Sequence, residues 1–365
     1  MALKIKSSAE NFYNRTGKNF VGIDEGALEL FAEYVLENGD VAEKLLKTRK
    51  RKGMYYFDDW ELFANQQAYA NAANACFWKV NPDDPEKGTT DRWTYREAEW
   101  GRLPGFLAWH TLIKDMMEAV MSEEGKGLKD VAEYFENLTP EMFREFIKGH
   151  DDTPDLDLQL IEERVENLNE MGKVIGEKYD GDFVNFLEEQ DYVAGKIVTA
   201  LAETFPESYG RDSYELEGRG KLYLQKRNVL LDIILHQGAS HKENARPIKY
   251  MNGIPIASDY VIPKVLRNLG ILKYSEELAR KVDQDIIMDE DSDEILAIRA
   301  GALLAADKLQ ALLAEKVKTT KIYSHHIDAL LVKHIKSKHI EEFINDYLGV
   351  PVDQHDIHYT VTLTH

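Results

Sequence analysis

Apolar residues recur along this 365-residue chain with the 3.6-residue period of helices, and this constrains its fold more than any other feature. From Gly26 to Leu36, Leu28, Phe31, Ala32, Val35 and Leu36 fall on one stripe. Further helices are expected over Asp59–Cys76, which is rich in alanine, and over Gly105–Val120, with Phe106, Leu107, Leu112, Ile113 and Met116 inward. Thr139 and Pro140 supply an N-cap and a first helical residue. Leu156–Tyr179 and Phe183–Phe205 continue the pattern, as do Val261–Leu269, Glu276–Val282 and Asp293–Ala314. Val229–Leu235 is apolar enough to be a buried helix turn or a strand. Strand signals are few. They are a candidate hairpin in Thr89–Glu99 and the period-two alternation of His358–Thr364. Gly, Pro and charge mark loops at Asn81–Thr90, Lys148–Asp155, Glu207–Gly220 and Gln237–Gly253, none biased enough to read as a linker. The expected architecture is mainly α with a few short β-strands.

Charge narrows the partners. With 45 Lys+Arg against 65 Asp+Glu, the net charge is −20. Such a surface repels phosphate backbones and anionic membranes, so intact nucleic acid and membrane are excluded as expected partners. A small anionic ligand held in a local basic pocket remains compatible. Cys76 is the single cysteine, which rules out an intramolecular disulfide and a multi-cysteine zinc site. No apolar run approaches a membrane span and the first residues carry no secretory pattern, so the expected location is cytoplasmic.

The chain has no P-loop, no GxGxxG, no HExxH and no GxSxG. His325, His326, Asp328, His334 and His339 invite a metal reading. His326 and Asp328 do not share a helix face, however, and His334 and His339 are not spaced i, i+4. With Lys333, Lys336 and Lys338 alongside, a solvated helix face is the better reading, and neither a metal nor a cofactor is expected. Lys226-Arg227 could hold a phosphate or carboxylate, or snorkel at a helix start. All five tryptophans (Trp60, Trp78, Trp93, Trp100, Trp109) lie between positions 60 and 109, as a wall for a planar ligand or as core. Asp259, flanked by apolar residues, is either a catalytic or ligand-anchoring acid or the cap of the helix beginning near Val261.

Several blocks together suggest an affiliation. Ser258–Ser275, reading Ser-Asp-Tyr-Val-Ile-Pro-Lys-Val-Leu-Arg-Asn-Leu-Gly-Ile-Leu-Lys-Tyr-Ser, resembles the Ala-Asp-Tyr-Arg-x-Pro-Gln and Leu-Gly-x-Leu-x-Tyr-Ser runs of the queuosine salvage protein family. Asn74–Trp78, Phe205-Pro206, Tyr214, Lys226-Arg227 and Asp293–Ala300 follow in matching order, so that the blocks span about residues 60–315. The resemblance implies one continuous helical fold over 1–365, similar to DNA glycosylases. It would have an N-terminal lobe of about 1–150 and a C-terminal lobe of about 151–365. It also implies an N-glycosylase that releases a queuine-like 7-deazaguanine base from a nucleoside 5′-monophosphate without a cofactor. Asp259 matches the family's aspartate and is then the acid at C1′. Phe77 and Trp78 become candidates for stacking on the base, and Lys226 and Arg227 for the 5′-phosphate. Asp232, Tyr260 and Lys264 are further candidate substrate contacts. One departure stands out. No Asp or Glu lies between Glu243 and Asp259, and Val261 and Lys264 replace the family's Arg and Gln. An altered base preference, or binding without cleavage, therefore remains an alternative.

Overall fold

The computed structural model describes residues 2–39, 41–42, 55–98, 101–317, 321–334, 337–348 and 359. Helices dominate, and among the described residues the strands form two-stranded antiparallel pairs. The chain divides into two compact units that interleave in sequence. One comprises Met1–Lys47, Asp212–Lys226 and Met251–Thr360, and the other Thr48–Arg211, Arg227–Tyr250 and Val361–His365.

The first unit is built around helix Asp293–Lys316, which Ser292 caps through the Ile295 amide. Ile295 to Leu303 are all buried, as a helix surrounded by other elements must be. Helices Ala2–Arg15, Glu25–Glu37, Val261–Asn268 and Ser324–Ala329 pack on it. Gly301 admits the closest neighbour, because a Cβ there would lie 3.1 Å from Val21 Cγ1. Val21–Ile23 pairs with Leu272–Tyr274, and Ser213–Leu216 forms a hairpin with Gly220–Tyr223.

The second unit centres on the alanine-rich helix Trp60–Ala72, capped by Asp59 and buried along almost its whole length. Around it lie helices Gly105–Met121, Leu128–Glu136, Pro140–His150, Ile161–Tyr179, Phe183–Glu189 and Ala194–Thr204, and most of Lys226–Ala239. Helices Leu128–Glu136 and Ile161–Tyr179 touch at Gly172, where a Cβ would sit 2.3 Å from the Glu136 amide nitrogen.

Several expectations change. Asn81–Thr90 is not a loop: Trp78–Asn81 pairs with Asp84–Arg92, and a second hairpin joins Thr94–Ala98 to Gly101–Pro104. The Phe183–Phe205 helix is broken by Asp191 and Tyr192, both left-handed. Leu160 is also left-handed, so the long helix starts at Ile161 rather than Leu156. Val229–Leu235 is helical. Part of the Glu207–Gly220 loop is strand. Helices Ala2–Arg15 and Leu128–Glu136 are additions to the elements expected from the sequence. His358–Thr364 falls outside the described residues except for Tyr359, which bridges Ile287. Trp100 is outside them too. His325, Asp328 and His339 are buried, so the expected solvated face is corrected. Among the described residues no three His, Cys, Asp or Glu side chains group as a metal site. No helix among them is long and apolar enough to cross a membrane.

Candidate active site

In the first unit, Asp259 precedes helix Val261–Asn268 and is half-buried. Its Oδ1 accepts hydrogen bonds from the amides of Val261 (2.8 Å) and Ile262 (3.2 Å). These amides are among the donors that a helix start leaves without intrahelical partners, so the carboxylate both caps the helix and is held in one orientation. Tyr260 occupies the formal cap position, and Lys264 lies one turn into the helix. The cap and acid readings therefore share one geometry.

The neighbouring residue, Ser258, is anchored from behind. Its hydroxyl donates to the Arg299 carbonyl at 2.8 Å, and Arg299 Nε returns a bond to the Ser258 carbonyl at 3.3 Å. The Arg299 fork grips Asp212, with Nη1 to Oδ1 at 2.9 Å and Nη2 to Oδ2 at 2.7 Å. Arg299 Nη1 also reaches the Tyr214 hydroxyl. Burial works against the guanidinium charge, but the Asp212 carboxylate outweighs it and raises the arginine's pKa. Asp212 Oδ2 further accepts the Lys226 amide at 2.7 Å. One buried ion pair thus ties down both the segment entering Asp259 and the start of the helix that carries Lys226. Sequence reading missed this pair. Asp212 lay in an apparent loop, and Arg299 was visible only as a letter in a helical block.

In the second unit, Phe77 and Trp78 are buried, as are Trp60, Trp93 and Trp109. The Arg164 guanidinium lies 5.0 Å from the Phe77 ring centre and 4.9 Å from that of Trp109. The tryptophan concentration is thus largely core. Arg227 is buried, and its Nη1 donates to the Ala72 carbonyl, which Asn167 also reaches at 3.0 Å. Arg164 donates to the carbonyls of Ala73, Ala75 and Cys76. The two arginines take up carbonyls at and beyond the end of helix Trp60–Ala72, where its dipole favours cations. Neither member of the Lys226-Arg227 pair snorkels, because both are under 5% exposed.

Asp232, on helix Lys226–Ala239, is fully buried, and among the described residues neither carboxylate oxygen has a hydrogen-bond partner. Desolvation pushes its pKa well above the usual carboxylate range.

These features define a mainly helical protein with a helix-capping aspartate backed by a buried Asp–Arg pair. The family model of the queuosine salvage protein matches residues 59–362. The chain belongs to that family. It is 27% identical over 225 residues to the mouse protein named queuosine 5′-phosphate N-glycosylase/hydrolase, a match covering 60% of this chain and 63% of that relative. The chain thus spans less than two thirds of the mouse relative's length, and the same holds for the bovine one. Relatives of the same name from Sphaerobacter thermophilus and Nematostella vectensis are 24% and 20% identical. Those matches cover 86% and 91% of this chain, and 85% and 92% of the relatives.

Proposed function

We propose that the protein is an N-glycosylase that hydrolyses queuosine 5′-monophosphate to queuine and ribose 5-phosphate, with Asp259 as the carboxylate at C1′. Cleaving the C1′–N9 bond leaves its electron pair on the base and builds oxocarbenium character at C1′. A preoriented carboxylate stabilises that charge or traps it covalently. Water then supplies a hydroxyl to C1′ and a proton to the departing base. A 7-deazapurine has no N7 to protonate, so assistance to the leaving group acts through its O6 and N1 edge. The observation that carries the reading is the Asp259 carboxylate, held by two helix-start amides within the family's matched segment. Lys226 supports it as the cation for the 5′-phosphate, because its backbone is fixed by the same Asp212–Arg299 pair that anchors Ser258. Phe77, Trp78, Arg227, Tyr260 and Lys264 are the remaining candidate contacts, with Phe77 and Arg227 acting by shaping the surroundings of helix Trp60–Ala72. A free nucleotide as substrate, rather than intact tRNA, suits the net charge of −20. Incubation of the protein with queuosine 5′-monophosphate is expected to release free queuine, detected by mass spectrometry. Intact nucleotide after prolonged incubation would refute the activity.

A further inference from the structure

The backbone enters Asp259 through the peptide group whose carbonyl belongs to Ser258. That carbonyl accepts a hydrogen bond from Arg299 Nε at 3.3 Å, and the Ser258 hydroxyl donates back to the Arg299 carbonyl at 2.8 Å. The two bonds close a ring between Ser258 and one residue of helix Asp293–Lys316. Ser258 is 2% exposed and Arg299 0%. Arg299 has no freedom to swing away. Its Nη1 and Nη2 hold the two oxygens of Asp212, Nη1 also reaches the Tyr214 hydroxyl at 3.3 Å, and its backbone lies in the stretch Ile295 to Leu303 that is buried throughout.

The ion pair with Asp212 needs only the two Nη groups. Arg299 Nε and the Ser258 hydroxyl are additional, and both tie down one residue, the one before Asp259. The hydroxyl belongs to this chain in particular. The family's run reads Ala-Asp-Tyr where this chain has Ser258, Asp259 and Tyr260, and an alanine would keep the Nε bond and lose the other. Nor does the Arg299 carbonyl depend on the hydroxyl, because it sits inside a helix and is already taken by the amide one turn on. On the far side of Asp259, both cap bonds end on Oδ1, from the amides of Val261 and Ile262. That leaves Oδ2 for C1′. Its direction follows from the cap on one side and from the backbone that Ser258 holds on the other. Direction matters to rate, since a misplacement of about 1 Å costs on the order of 100-fold.

We infer that Ser258 is a positioning residue for Asp259, its hydroxyl working with Arg299 to fix the direction of the Asp259 carboxylate toward C1′. This deepens the proposed function and rests on its assignment of Asp259. Ser258 and Arg299 act through Asp259 and not on the substrate. A misdirected carboxylate leaves binding intact and stabilises the transition state less, so the effect falls on kcat and spares KM.

The test measures queuine release from queuosine 5′-monophosphate by the native protein, Ser258→Ala, Arg299→Lys and the double variant, each at matched concentration of folded protein. Ser258→Ala removes one hydroxyl and introduces no clash. It should melt close to the native temperature and lower kcat about 5- to 10-fold with KM unchanged. Arg299→Lys keeps a cation for Asp212 but has neither Nε nor the fork, and should lower kcat about 100-fold. The double variant should be no slower than Arg299→Lys, because both substitutions act on the same peptide group. A kcat for Ser258→Ala within about twofold of native overturns the inference, whether or not Arg299→Lys folds. So does a raised KM at unchanged kcat, which would place Ser258 in substrate binding, and so do losses that multiply in the double variant. In each of these cases, release by the native protein and its loss in Asp259→Asn leave the proposed function standing. A native protein that releases no queuine overturns the proposed function and this inference with it.

Discussion

Asp212 and Asp232 are both almost without exposed surface, at 1% and 0%, yet the chain treats them in opposite ways. Asp212 is surrounded by donors: the two arms of Arg299 and the Lys226 amide. Asp232 meets no donor among the described residues, and desolvation drives it toward its neutral form. A carboxylate that holds a fold together brings its own partners, because its charge is too costly to bury alone. One left bare contributes nothing to the folded chain's stability that an isosteric neutral side chain would not.

Substitutions can break this comparison. The largest effect is expected from Arg299→Ala, which strands the Asp212 carboxylate in the interior. It should cost about 3–5 kcal/mol in chemical denaturation. A loss below about 1 kcal/mol would mean that Asp212 finds other partners and that the pair does not organise its unit. Replacing both, as in Asp212→Leu with Arg299→Leu, should recover part of that loss, since no uncompensated charge then remains. The recovery should be incomplete, because the Lys226 amide also loses its acceptor.

Asp232→Asn should do the reverse. The folded-state pKa of Asp232 lies above its unfolded value, so the native carboxyl resists ionising while the unfolded one does not. The resulting penalty is absent below the unfolded carboxylate pKa of about 3.9 and grows as pH rises toward the folded value. Asp232→Asn removes it. The variant should be near-neutral at pH 4 and increasingly more stable than the native protein toward pH 7, by at most about 1.4 kcal/mol per pH unit. A pH-independent loss of stability would place Asp232 with Asp212 among the structural carboxylates.

The smallest effect concerns Asp259 as a cap. Asp259→Ala removes the acceptor for the Val261 and Ile262 amides and should cost about 1 kcal/mol, while Asp259→Asn keeps an acceptor and should cost only a few tenths. Equal losses in thermal melts would argue that the cap is dispensable.

Much of this was legible before the structure. Helix periodicity marked most of the long helices, because a stripe of Leu, Phe and Ile at 3.6-residue spacing has few other uses. Asp259 stood out through its apolar flanks and its Asp-Tyr context. The hairpins at Trp78–Arg92 were hidden, because Asp84, Pro85, Glu86 and Lys87 read as loop, and only pairing with Trp78–Asn81 makes them strand. The breaks at Leu160 and at Asp191–Tyr192 were hidden as well, since left-handed backbone in residues other than glycine leaves no mark in composition. The snorkelling alternative for Lys226-Arg227 fails for a different reason. A basic pair next to an apolar run looks like an anion site or a snorkelling patch, and nothing local reveals that its partner is a helix end more than a hundred residues away. Satisfied and unsatisfied carboxylates look alike in a sequence. Only three-dimensional partners separate Asp212 from Asp232.

The most direct test of the account is the rate of queuine release from queuosine 5′-monophosphate by the native protein and by Asp259→Asn at matched concentration of folded protein. The account predicts robust release by the native protein and a fall of at least about 100-fold in kcat for the variant, with a melting temperature close to native. Undiminished release by Asp259→Asn would contradict the placement of this carboxylate at C1′.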